Sequence, residues 1–157
     1  DELWSILGNE GAPLGLLLVD VDHFKQYNDC YGHLPGDDAL RMVATALARV
    51  VDGVNREGLP DAFVARYGGE EFAVILPDTE LTGAVLVAEA MRAGVEGLGI
   101  THRYSKGSGV VTISIGVASI MPGRGETDSA ILLKRADDAL YRAKQAGRNR
   151  IAAAPIA

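Results

Sequence analysis

The stretch LGLLLVDVD, residues 14 to 22, constrains the fold more than any other part of this chain. From Leu14 to Val19 it offers no polar side chain to either face, so it belongs in the middle of a sheet, covered on both sides. The end of the run is abrupt. Asp20 and Asp22 point to the same face if the extended backbone continues. Gathering carboxylates at the end of a buried strand is costly unless cations neutralise them.

The remaining pattern supplies the partners of that strand. Leu40, Val43, Ala44, Leu47 and Val51 recur at helical spacing and predict an amphipathic helix from Gly36 to about Val51. VDGVNREGLPD reads as a turn-rich loop. AFVARY and EFAVILP are strands joined through Gly68 and Gly69, a hairpin signal. Asp78 or Thr79 caps a helix over residues 80–96. EGLGITHRYSKGSG reads as a loop or short strands, and VVTISIGVAS (110–119) as a β-branched strand. Asp128 or Ser129 caps a last helix that Gly147 stops near Ala146, and NRIAAA adds a short edge strand. Residues 1–8 read as the end of a helix that GNEGAP breaks.

This order is the βαββαβ plan, an α+β fold of the ferredoxin-like, palm type. It has helices on one face of an antiparallel sheet, plus an extra C-terminal helix and short strand. Strands one and three are neighbours in that plan, so Asp20 is expected beside the hairpin. At 157 residues, with 48% apolar and 23% charged residues, the chain reads as one globular domain. Its net charge of −6 argues against a nucleic-acid backbone as the partner. Cys30, the single cysteine, excludes an internal disulfide and fits a reducing compartment. No run reaches membrane-spanning length and the start lacks a signal-peptide pattern. The expectation is a cytoplasmic domain without membrane contact of its own, cut from something longer.

Chemistry concentrates in a few stretches. In RYGGEEF (66–72), glycines free of Cβ let the backbone turn and a ligand approach, while Glu70 and Glu71 add carboxylates to those of the first strand. Hard divalent ions take one or two carboxylates plus substrate phosphates. The same hairpin also reads as an exposed turn whose glutamates face water. In DVDHFKQYNDCYGHLPGDDAL (20–40), backbone N–H groups between strand and helix suit a phosphate. There Asn28 and Asp37 offer the amide and carboxylate that a guanine edge requires. Both also read locally, Asp37 as a helix-start charge and Asn28 as a turn residue. Lys144 and Arg148 are four apart at the end of the last helix, where they either complement its negative terminus or clamp a terminal phosphate.

Together these stretches resemble the GGDEF family of diguanylate cyclases, in its GGEEF variant. The blocks are DVDHFKQYND with GHLPGD, RYGGEEF, TISIGVA and ADDALYRAKQAGRN, in the family's order from about Leu16 to Arg150. The resemblance implies a single GGDEF domain over residues 1–157 that condenses two GTP into cyclic di-GMP and two pyrophosphates across a homodimer of half-sites. It implies that Asp20, the Val21 carbonyl, Glu70 and Glu71 hold two Mg²⁺ or Mn²⁺ ions per half-site, with Glu70 also aiding deprotonation of the 3′-hydroxyl. Phe24 and Lys25 then bind phosphate through backbone N–H groups, Asn28 and Asp37 read guanine, and Lys144 and Arg148 grip the γ-phosphate. The alternative is a catalytically weak domain that binds GTP or cyclic di-GMP and regulates. A nucleotidyl cyclase of class III and a producer of mixed dinucleotides fit the hairpin and Asp37 less well. Two departures stand out. The product-binding RxxD window reads LPDA (59–62), which predicts no feedback inhibition there. The family's opening DxLTGLxNR segment is missing, which implies a truncated chain whose parent carries an N-terminal sensory or dimerisation domain.

Overall fold

In the computed structural model of the chain, described over residues 11–57, 61–105, 107–122 and 129–155, the elements follow the expected order. They are β1 (Leu14–Val21), α1 (Phe24–Tyr31), α2 (His33–Arg56), β2 (Phe63–Arg66), β3 (Glu71–Pro77), α3 (Leu81–Gly97), β4 (Ile113–Ile120), α4 (Ser129–Gln145) and β5 (Ile151–Ala153). The sheet order is β2-β3-β1-β4-β5, so the aliphatic strand sits at the centre. β1 runs antiparallel to both β3 and β4, and the short β5 adds parallel to β4. The expected helix at residues 1–8 and the Asp128 cap lie outside the described residues.

Alternation along β1 explains the layers. Leu17, Val19 and Val21 face a core that includes Leu40, Val43 and Leu47 of α2 and Ala84, Ala88 and Met91 of α3. Leu14, Leu16 and Leu18 face the opposite side, against Leu132, Ala136 and Leu140 of α4. Helices therefore cover both faces of the sheet, the C-terminal one standing alone on its side. Burying one such leucine contributes about 1.5–3 kcal/mol, which is why the run tolerates no polar residue before Asp20.

α4 lies close on β4, and Gly116 makes that approach feasible. A Cβ built there would stand 2.1 Å from the Ala136 carbonyl oxygen and 2.3 Å from the Leu140 nitrogen. The helix that carries Lys144 thus rests directly on strand backbone at the glycine of TISIGVA.

Several local expectations change. The polar stretch after β1 is helix α1, held by Phe24 and Tyr27, which are buried and stack with ring centroids 6.1 Å apart. α2 starts earlier than Gly36 and runs on through Gly53 to Arg56, because Val51 is buried and Val54 still packs on the core. Neither Asp78 nor Thr79 caps α3: its N-cap is Glu80, the Thr79 hydroxyl donates to the Pro77 carbonyl at 2.8 Å, and Asp78 has φ 50°. The loop before β4 contains one antiparallel bridge, Thr101 with Val110. Gly147, at φ 126°, follows the end of α4 as expected.

Replacing Gly116 by alanine is expected to destabilise the chain by about 1–3 kcal/mol, the usual cost of overpacking. Urea unfolding measures this, and a loss below about 0.5 kcal/mol, the range of ordinary surface changes, would show that α4 accommodates a methyl group.

Candidate active site

Strand pairing assembles the acidic residues. In the β1–β3 register Asp20 stands opposite Glu71, and the Val21 N–H donates to the Glu70 carbonyl at 3.1 Å. The end of β1 and the glycine hairpin are therefore bonded neighbours. Arg66 braces the turn, its guanidinium donating to the carbonyls of Gly68 and Gly69 at 3.1 and 2.5 Å while lying over the Phe72 ring. The Glu71 carbonyl accepts from the N–H groups of Tyr67 and Gly68. Gly68 and Gly69 do not adopt positive φ, so a left-handed turn is not what requires them. A Cβ on Gly69 would meet nothing within 4 Å, and the backbone there stands open to a ligand.

The electrostatics are those of a crowded anionic site with one built-in cation. Lys144 reaches across from α4 and its Nζ donates to Asp20 Oδ2, with the Asp20 side chain only 14% exposed. Burial first, then the charges of Asp20 and Glu71, raise the Glu70 carboxyl above the usual range, and Lys144 draws it partly back. Among the described residues no three His, Cys, Asp or Glu side chains form a ready-made metal cage. The oxygen donors of Asp20, Val21, Glu70 and Glu71 nonetheless suit a hard cation that takes its other ligands from a substrate. The like-charge crowding at Glu70 is what such a cation relieves.

Asp22 does not join this cluster. β1 ends at Val21, and the Asp22 side chain turns toward β4 and the α4–β5 turn. There it is buried, accepting from the Thr112 hydroxyl at 2.7 Å, the Ser114 hydroxyl at 2.6 Å and the Asn149 N–H at 2.9 Å.

The start of α1 follows directly. No side chain caps it, so the N–H groups of Phe24 and Lys25 in its first turn have no intrahelical partners. His23 precedes it at φ 54°, and its carbonyl accepts from His102 Nε2 at 3.0 Å. A carbonyl only accepts, so Nε2 carries the proton. The buried His102 ring also packs edge-on against Tyr27. Asn28, on α1, turns its Oδ1 into the junction with α2, where the atom is buried without a hydrogen-bond partner. A Cβ on Gly36 would lie 1.8 Å from that oxygen, so the glycine beside Asp37 makes room for the amide. Asp37 is exposed on the first turns of α2.

Arg148 lies beyond α4, which ends at Gln145, so helical spacing does not pair it with Lys144. A left-handed turn places it instead: Arg148 has φ 63° and Asn149 φ 45°. Arg148 and His23 line one cavity of about 180 Å³, together with Ser105, Gly107, Ser108, Thr112, Gly147, Asn149 and Arg150. Arg148 thus faces the start of α1. A larger concavity, about 510 Å³, is an apolar groove lined by Leu14, Leu16, Leu18, Phe63, Ile75 and Leu132 among others, remote in character from these polar groups. Sequence reasoning missed Arg66, His102 and the separate role of Asp22. The only signal for Arg66 was its place next to the hairpin, and nothing in the loop marked His102.

Comparison with known proteins agrees with this geometry. The family model "Diguanylate cyclase, GGDEF domain" matches residues 1–150, and the chain belongs to that family. It is 47% identical over 141 residues to the response regulator PleD of Caulobacter vibrioides, covering 90% of this chain and 29% of PleD. It is 45% identical over 139 residues to diguanylate cyclase DgcM of Escherichia coli, covering 88% of this chain and 30% of DgcM. The chain therefore spans under a third of these relatives. Among solved structures, the GGDEF domain of DgcB from Caulobacter crescentus, in complex with c-di-GMP, superposes with TM-score 0.82 at 36% identity, covering 98% of this chain and 85% of that one. An active GGEEF domain of a diguanylate cyclase from Vibrio cholerae gives TM-score 0.77 at 29% identity, covering 99% and 96%.

The raised Glu70 carboxyl has a consequence for stability. Between its ordinary and raised pKa the folded chain binds more protons than the unfolded one, so its contribution to stability falls as pH rises through that window. Glu70→Gln is therefore expected to melt at higher temperature than the parent at pH 7 in the presence of EDTA, with the difference shrinking toward pH 4. A variant that melts lower at pH 7 would show that Glu70 is stabilising rather than crowded.

Proposed function

We propose that this chain is a catalytic domain that condenses two GTP molecules into cyclic di-GMP. The observation that carries the reading is the β1–β3 register, which sets Asp20 opposite Glu71 and bonds the end of β1 to Glu70, just before the uncapped start of α1. In each of two equivalent steps a 3′-oxygen bonds to the α-phosphorus of the other nucleotide. The bond from that phosphorus to the bridging oxygen breaks, and pyrophosphate leaves.

The chain's own residues divide the work. Asn28 and Asp37 orient guanine, the Asn28 amide meeting the base and the Asp37 carboxylate accepting from its N–H edge. The first-turn N–H groups of Phe24 and Lys25 hold β- and γ-phosphate oxygens. Arg148, which lines a cavity with His23 just before those amides, grips the terminal phosphate. Lys144 changes partner: in the free chain it neutralises Asp20, and in the complex it swings to the same phosphate. Glu70 takes the proton of the attacking 3′-hydroxyl, a task that its raised pKa assists. Asp20, the Val21 carbonyl, Glu70 and Glu71 are the groups to hold two Mg²⁺ or Mn²⁺ ions, which when bound offset charge on the attacking and leaving oxygens.

One half-site holds one nucleotide, so attack geometry requires a second copy of the domain facing the first. A segment preceding this domain in the parent protein would then set activity by setting that encounter. Feedback through the RxxD window is not expected: Ala62 stands where the motif has its acid. It is buried and its backbone is tied both ways to Asn55 at 3.1 Å.

Incubation with GTP and Mg²⁺, followed by mass spectrometry, is expected to give cyclic di-GMP, with turnover per chain rising with protein concentration and lost in Glu70→Gln. Retained GTP binding with no product at any concentration would instead make the domain a nucleotide-binding regulator.

A further inference from the structure

The geometry points to Asp22 as a positioning residue that aims Arg148 at the terminal phosphate. The inference rests on the phosphate role proposed for Arg148. Three residues in succession after α4 depart from ordinary backbone: Gly147, Arg148 and Asn149 have φ of 126°, 63° and 45°. Glycine adopts such angles freely and asparagine tolerates them, but arginine does so only when its surroundings impose them. The end of α4 closes the first part of the turn, the N–H groups of Gly147 and Arg148 donating to the carbonyls of Lys144 and Ala143 at 3.3 and 3.0 Å, and Asp22 holds the part that follows. The N–H of Asn149, the peptide immediately after Arg148, donates to Asp22 Oδ2 at 2.9 Å. The Asn149 side chain is held from the far side, donating to Glu96 at 2.7 Å and accepting from Arg92 at 3.1 Å.

Asp22 is itself fixed. It is 2% exposed, its own N–H donates to the Thr112 carbonyl at 2.9 Å, and hydroxyls of Thr112 and Ser114 donate to its two oxygens. These three partners, the hydroxyls of Thr112 and Ser114 and the N–H of Asn149, are neutral donors, and they engage both oxygens away from Asp20. That distinguishes Asp22 from a metal-binding carboxylate. It also makes Asp22 the link between the end of β1, where α1 and its phosphate-facing amides begin, and the turn that presents Arg148. Through it, the end of β1 and the turn that carries Arg148 share one anchor.

Calorimetric titration of the chain with GTP and with GDP, using Ca²⁺ in place of Mg²⁺ to suppress turnover, separates this role from a general one. Only GTP has the phosphate that Arg148 contacts. Arg148→Ala is expected to weaken GTP by about tenfold or more, the loss of a hydrogen bond to a charged group, and to leave GDP within about twofold. Asp22→Ala should reproduce that selective loss. Asp22→Asn, which retains an oxygen for the Asn149 N–H, should recover GTP binding to within about twofold of the parent. Asp22→Ser keeps a hydroxyl but is too short to reach Asn149, so it should behave as alanine does and replaces that variant if alanine prevents folding. An Asp22→Ala or Asp22→Ser variant that is folded and keeps the parental ratio of GTP to GDP affinity, or loses both equally, overturns the proposal while leaving Arg148 in its role, and so does an Asp22→Asn variant as impaired for GTP as Asp22→Ala. An unchanged ratio in Arg148→Ala removes the phosphate role and the proposal with it.

Discussion

The antiparallel pairing of β1 with β3 is the constraint on which the rest depends. Side chains alternate along a strand, so a slip of one residue would turn Asp20 into the hydrophobic core and move Glu71 off its partner. The register is held because Leu17, Val19 and Val21 must face α2 and α3 while Leu14, Leu16 and Leu18 face α4. Hydrophobic burial thereby fixes where the carboxylates meet. The same β1 ends in the turn that starts α1, so the anionic cluster and the exposed helix amides are neighbours by construction.

Opposite charge arrives from α4, on the face of the sheet to which Asp20 points. α4 rests on β4 at Gly116, and from that position Lys144 reaches Asp20. A half-buried carboxylate without a cation is costly, and the lysine supplies one in the free chain. Beyond α4 the left-handed turn at Arg148 and Asn149 directs a guanidinium toward the cavity shared with His23. The site is thus assembled from two halves of the fold, with the sheet between them as the common frame.

How much of this could be read from residues alone depended on the physical signal. Strands β1 and β4 and most of α2 were legible because apolar residues repeat at the period of the element. Asp20 beside Glu70 and Glu71 followed from strand order, which that periodicity implies. Helix α1 was not legible: FKQYNDCY buries only Phe24 and Tyr27, and its stability comes from stacking and from His102, distant in sequence. The α3 cap failed because the Thr79 hydroxyl has a nearer acceptor in Pro77. Asp22 was grouped with Asp20 on the assumption that the strand continued, whereas it ends one residue earlier. Lys144 and Arg148 do converge on one region, but through a backbone turn that spacing cannot reveal. Membership in the GGDEF family was legible from the blocks themselves, since their order and spacing survive in one sequence.

The central claim is that carboxylates from two paired strands hold divalent cations together with a guanine triphosphate. Electron paramagnetic resonance of Mn²⁺ tests it directly, by counting bound ions with and without GTP in the parent chain and in Asp20→Asn. The account predicts ions that bind strongly only when GTP is present and are lost in the variant. Equal binding by parent and variant would contradict it.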